Sequence, residues 1–151
     1  MGKDSMVRNI MVVDDSFETR YTIKDGLEEL DKDYQVLCVE SGITCFEFLE
    51  KNFIPDIIIL DIMMPDMDGW KIFKKLYNNE KWKKIPVAFL TAKNDNFSRG
   101  FGKILAEAYI EKPFEIKELK GRIEKILEKP FTLPDTREKI IIDMIEHIPE
   151  K

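Results

Sequence analysis

Four polar clusters, Asp14-Asp15, Asp61, Thr91-Ala92 and Lys112-Pro113, each stand at the end of an apolar β-type run. The runs are Ile10-Met11-Val12-Val13, Ile57-Ile58-Ile59-Leu60, Val87-Ala88-Phe89-Leu90 and the shorter Ala108-Tyr109-Ile110. Apolar runs without alternation are what strands of a parallel sheet covered on both faces look like. In such sheets the carboxyl ends of the strands open onto a ligand crevice. Three carboxylates, a hydroxyl and an ammonium are therefore expected in one cleft.

Helical spacing fills the gaps between the runs. Ser16 is a candidate N-cap, with Ile23, Leu27 and Leu30 recurring behind it. Tyr34 to Val39 reads as a further strand, and Ile43, Phe46 and Leu49 as a second helix. Trp70, Phe73, Leu76 and Tyr77 mark a third helix, and Phe97, Phe101, Ile104 and Leu105 a fourth that Gly100 and Gly102 weaken. Ile116, Leu119, Ile123 and Ile126 mark the fifth. Strict alternation of five strands and five helices implies right-handed crossovers and an α/β, doubly wound, three-layer sandwich. Asp66 and Asp68 read as loop and helix-cap residues, and Trp70 and Trp82 as packing or surface aromatics.

The unit is expected to span residues 7–129. Residues 130–151 form a linker and an amphipathic C-terminal helix carrying Ile141, Met144 and Ile145 on one side. That tail has three roles open to it: packing on its own domain, a homodimer contact, or the start of a linker.

A chain of 151 residues with 44% hydrophobic and 35% charged residues is the size and composition of one globular domain. No apolar stretch approaches a membrane span and residues 1–8 are polar, so a cytoplasmic protein without membrane contact is expected. The formal charge of -5 argues against direct nucleic-acid binding, and the Lys81 to Lys84 patch reads as a solvated helix end. Cys38 and Cys45 lack metal-ligand spacing and read as reduced core residues. His147, the single histidine, stands near the terminus, which removes His-based metal or catalytic sites.

Asp14, Asp15 and Asp61 brought together would repel one another unless a cation sat between them. An oxygen-only ligand set selects Mg²⁺ or a similar hard ion, which binds one or two carboxylates and typically a phosphate. Lys112 offers a point charge to phosphoryl oxygens, Thr91 a hydroxyl donor, and Ala92 an unobstructed approach. There is no Gly-rich phosphate loop for a nucleotide. A carboxylate can itself be the nucleophile, and Asp61, alone on its central strand, is the natural acceptor.

Alone, Asp-Asp-Ser is often just an N-cap, Lys-Pro a turn, Thr91 a strand end and Tyr109 a core residue. Together and in order they resemble the CheY-like receiver domain of two-component response regulators, over about Arg8 to Lys129. The matching segments are Val13-Asp14-Asp15-Ser16, Leu60 through Gly69, Leu90-Thr91-Ala92 and Tyr109-Ile110-Glu111-Lys112-Pro113-Phe114. The resemblance implies a flavodoxin-like five-stranded parallel sheet of order 2-1-3-4-5 with helices on both faces.

It also implies a phosphorylation-dependent switch of a phosphorelay. Asp61 would be the phosphoacceptor, served by a partner histidine kinase or phosphotransfer protein. Asp14, Asp15, Asp61 and the Met63 backbone carbonyl would hold Mg²⁺, with Lys112 and Thr91 assisting. Thr91 and Tyr109 would be the switch residues, turning a face made by the fourth helix, fifth strand and fifth helix toward a downstream protein. Such a chain catalyses its own phosphorylation and dephosphorylation without being a turnover enzyme. Met63 and Lys93 stand where the family tunes hydrolysis, and neither side chain orients water well. Leu105-Ala106-Glu107-Ala108 departs from the usual Gly-Ala-Asp-Asp, which bears on the output face. The alternatives are a Mg²⁺-dependent aspartyl-phosphate phosphatase, disfavoured because Met63 stands where its second Asp belongs, and a phosphorylation-independent interaction module. Flavin binding lacks a hydroxyl-rich phosphate loop.

Overall fold

The computed structural model describes residues 7–64, 68–92, 109–128 and 146. Five strands, β1 (Arg8–Val13), β2 (Tyr34–Val39), β3 (Ile57–Asp61), β4 (Val87–Ala92) and β5 (Tyr109–Lys112), form one sheet. Every pairing is parallel and the order is β2-β1-β3-β4-β5, as expected. The described helices are α1 (Phe17–Leu30), α2 (Gly42–Glu50), α3 (Gly69–Tyr77) and α4 (Ile116–Glu128), the last being the fifth expected from sequence. The helix expected around Phe97 to Leu105, and all but Glu146 of the C-terminal helix expected over 135–147, lie outside the described residues.

The unbroken apolar runs are explained by the two faces they serve. Successive side chains of a strand point to opposite faces. Met11, Val13, Ile58, Leu60 and Phe89 pack with Cys45 and Leu49 of α2 and with Trp70, Ile72, Phe73 and Leu76 of α3. Ile10, Val12, Ile57, Ile59, Ala88 and Leu90 pack with Ile23 and Leu27 of α1 and with Leu119 and Ile123 of α4. Each of Ile57 to Leu60 is fully buried, and each contributes about 1.5–3 kcal/mol by leaving water. A charged residue at any of them would be stranded between the sheet and a helix layer. The edge strand β2 exposes Gln35 between buried Tyr34 and Val36, the alternation of a less covered position.

Helix starts fall where side chains can cap them. Ser16 Oγ accepts from the Thr19 N–H at 3.2 Å, Ser41 Oγ from the Thr44 N–H at 3.2 Å, and Asp68 Oδ1 from the Lys71 N–H at 3.0 Å. Asp68 is thus the helix cap expected of it, while Asp66 lies outside the described residues. Residues 80–84 form a turn rather than the helix end expected around Lys81 to Lys84, because α3 stops at Tyr77. Asn79 Oδ1 accepts from the backbone N–H groups of Lys81 and Trp82, the Asx-type bonding that favours a turn. Among the described residues no helix is long and apolar enough to cross a membrane.

Candidate functional site

The parallel register brings the strand-end residues together. Val13 pairs with Leu60, Asp61 with Leu90 and Ala92 with Lys112, so Asp14 and Asp61 emerge side by side from the two central strands. Asp14 is fully buried, Asp61 is 3% exposed and Asp15 stands exposed beside them. One carboxylate oxygen from each of the three lies within 4.8 Å of the others. Lys112 Nζ, arriving from β5, is 3.2 Å from Asp14 Oδ2 and 3.5 Å from Asp61 Oδ1. One ammonium cannot neutralise two buried carboxylates. Burial first, and the Asp14 charge second, push the Asp61 carboxyl up to about 6, against the pull of Lys112 and the Met63 N–H.

Each buried carboxylate is pinned by the chain that follows it. The Ser16 N–H donates to Asp14 Oδ1 at 2.8 Å and the Met63 N–H to Asp61 Oδ1 at 3.2 Å, both two residues on, as in Asx turns. The Met63 side chain is 65% exposed next to the acceptor position. Thr91 is buried at the end of β4, and its hydroxyl donates to the Ala92 carbonyl at 3.2 Å. Ala92 itself is exposed, which leaves that side of the site open. Lys93 lies outside the described residues.

Tyr109 belongs to an aromatic cluster on the α2–α3 side of the sheet. Its ring centroid is 5.6 Å from Phe89 and 6.1 Å from Trp70, both edge-on, a geometry worth about 0.5–1.5 kcal/mol per pair beyond burial. Phe89 and Thr91 are two residues apart on β4, so Thr91 faces the same side as this cluster. The hydroxyl and the tyrosine expected to act together therefore share a face.

The donor set fits a hard divalent ion. All three acidic side chains present oxygen, two of them are held by backbone N–H groups, and the buried negative charge exceeds what Lys112 supplies. Sequence reasoning missed three participants. Arg20 Nη1 donates to the Asp14 backbone oxygen at 2.8 Å, six residues away in sequence and one helix turn into α1. Gly69 sits so close to β3 that a Cβ there would lie 2.5 Å from the Asp61 backbone oxygen. Trp70, expected only to pack, borders Tyr109. The Gly in the Asp68-Gly69 pair was a signal of close approach, but nothing in the sequence says what it approaches.

Comparison with known proteins gives one consistent result. The family described as the response regulator receiver domain matches residues 10–124. Protein PilG of Pseudomonas aeruginosa is 36% identical over 127 residues, covering 82% of this chain and 90% of that protein. Histidine kinase P4 of Formosa agariphila is 34% identical over 125 residues, covering 82% of this chain but 9% of the kinase. Among solved structures, the signal receiver domain of a signal transduction histidine kinase from Syntrophus aciditrophicus superimposes with a TM-score of 0.68 at 30% identity, covering 83% of this chain and 98% of that one. The chain belongs to the response regulator receiver domains of two-component signalling.

Proposed function

We propose that residues 7–129 form a phosphorylation-controlled switch in which Asp61 accepts a phosphoryl group from a phosphohistidine on a partner kinase or phosphotransfer protein. The observation that carries this reading is the place of Asp61: buried at the end of a central strand, beside Asp14, with Lys112 Nζ at 3.5 Å. An Asp61 carboxylate oxygen forms the new O–P bond as the P–N bond of the donor breaks, and the leaving imidazole nitrogen takes up a proton. Lys112 offers charge to the transferring phosphoryl oxygens, since such transfers need chiefly positioning and neutralisation. Asp14, Asp15, Asp61 and the Met63 carbonyl would hold Mg²⁺, which neutralises charge on the phosphoryl oxygens when bound. Thr91 then turns toward the new phosphoryl group, Tyr109 follows, and the equilibrium of the β5–α4 face and the segment before it is biased toward a downstream protein. A cytoplasmic location for this switch accords with its membership of the receiver domains of two-component signalling.

Incubation with Mg²⁺ and a small phosphodonor such as acetyl phosphate, followed by intact mass measurement, tests this. The expected result is a Mg²⁺-dependent gain of one phosphoryl group that Asp61→Asn abolishes and Lys112→Ala slows. An unchanged gain in Asp61→Asn would overturn it. A turnover phosphatase instead releases phosphate from other aspartyl or small phosphoesters in excess of the protein present, and an interaction module gains no phosphoryl mass.

A further inference from the structure

Gly69 opens α3 directly on the acceptor's own peptide. Its N–H donates to the Ile62 carbonyl at 2.9 Å, and a Cβ would meet the Asp61 oxygen at 2.5 Å and Ile62 Cα at 2.8 Å. Only a hydrogen of Gly69 therefore fits against that peptide, and interiors packed this closely transmit strain. The very next residue is Trp70, 5% exposed, whose ring centroid lies 4.8 Å from Phe89 and 6.1 Å from Tyr109. Phe89 also touches Tyr109, and it stands two positions before Thr91 on β4. The ring of Tyr109 is thus bounded on one side by a residue carried on the strand that bears Thr91. On the other it meets a residue carried on the helix seated against Asp61.

We propose that Trp70 is a positioning residue that transmits the state of Asp61 to Tyr109 by a route parallel to Thr91. The inference rests on Asp61 being the phosphoacceptor. When the Asp61–Ile62 peptide shifts to accommodate a tetrahedral group on the side chain, Gly69 has no free space to absorb it, so the first turn of α3 shifts with it. Trp70 then changes the wall against which the Tyr109 ring is held. A large planar side chain suits this role because its edge contact constrains the orientation of its neighbour and not merely its distance. Phe73, which contacts Trp70 and Phe89, is a packing neighbour and serves as the control.

The test labels the protein with fluorotyrosine and follows the Tyr109 resonance by fluorine NMR, assigned among the four tyrosines by Tyr109→Phe. Phosphoryl occupancy after Mg²⁺ and acetyl phosphate is measured on the same samples by intact mass. Thermal unfolding first establishes that each variant is folded, with Trp70→Met replacing Trp70→Leu if the latter is not. Expected are a Tyr109 shift in the parent, its retention in Trp70→Phe and Phe73→Leu, and loss of more than half of it in Trp70→Leu at equal phosphoryl occupancy. An undiminished Tyr109 shift in phosphorylated Trp70→Leu overturns the route through Trp70. A parent that gains no phosphoryl mass overturns the acceptor reading and the inference with it, and the mass spectrum tells the two failures apart.

Discussion

Lys112 Nζ stands 3.2 Å from Oδ2 of Asp14, a carboxylate with no exposure to solvent. Lys112 is thus shared between Asp14 and Asp61, 3.5 Å away, and cannot fully neutralise both. Burial first, and the Asp14 charge second, push the Asp61 carboxyl up from the ordinary carboxylate value to about 6, which the shared lysine does not offset. A carboxyl whose value is higher in the folded than in the unfolded state binds more protons when folded, so its stability contribution is fully present below about pH 4 and lost as pH rises to about 6. The difference corresponds to about 3 kcal/mol. Urea unfolding in a chelator should show this loss between those pH values, Asp61→Asn should remove it, and millimolar Mg²⁺ should restore stability at neutral pH. A pH profile that is the same in Asp61→Asn and the parent would refute the account.

Two helical glycines should respond oppositely to alanine. A Cβ on Gly121 in α4 meets nothing within 4 Å, so Gly121→Ala stabilises the protein by about 1 kcal/mol through helix propensity alone. A Cβ on Gly26 in α1 would come 2.7 Å from Ile116 Cγ1, 3.0 Å from its Cγ2 and 3.1 Å from its Cδ1, so the whole branched side chain, and not one movable end, stands in the way. Overpacking costs about 1–3 kcal/mol, which outweighs the propensity gain and makes Gly26→Ala destabilising. The cost should shrink in the Gly26→Ala, Ile116→Ala pair relative to the sum of the singles. Chemical denaturation of the four variants decides the signs, and a stabilising Gly26→Ala would show that α1 and α4 can separate freely.

Such contacts mark the boundary of what was legible in the sequence. The central strands followed from runs such as Ile57 to Leu60, because burial on both faces leaves no polar position to obscure the pattern, whereas their order came only with the family resemblance. The acidic site followed because parallel strands end on one side, which sends Asp14 and Asp61 to the same place regardless of side-chain detail. What the sequence hid are relations between elements: Gly69 against Asp61, Gly26 against Ile116, Arg20 on the Asp14 carbonyl. Each depends on the distance between two elements, and periodicity reports only which face of an element is apolar. The turn at residues 80–84 was hidden differently, since α3 ends at Tyr77 and the Asn79 side chain holds the chain beyond it in a turn.

The two thiols should be inert for the same reason in different degree. Burial pushes the Cys45 thiol up to about 12, and burial raises that of half-buried Cys38 as well. The thiolate is the reactive species, so at pH 8 the native protein should react slowly with a thiol reagent such as iodoacetamide, Cys38 ahead of Cys45. In denaturant both should react at the rate of free cysteine. Mass mapping of alkylated peptides reads the order, and faster modification of Cys45 than Cys38 would mean that α2 opens more readily than its packing implies.

The lifetime of a phosphoryl group on Asp61 should be set in part by Met63. Its side chain is 65% exposed two residues beyond the acceptor, while its backbone N–H is already engaged by Asp61 Oδ1 at 3.2 Å. The thioether can shield the site from water but is too weak an acceptor to hold one in line with the phosphorus. An amide at the same position supplies both a donor and an acceptor. One added hydrogen bond to the attacking water is worth about 1 kcal/mol, or roughly a fivefold faster loss of the phosphoryl group. After removal of donor, the phosphorylated mass should therefore decay faster in Met63→Asn than in the parent. Lys93→Glu, added to it, tests whether the second tuning position acts independently, in which case the two rate effects multiply. Equal decay in the parent and both variants would assign the lifetime to Asp14, Lys112 and the bound metal alone.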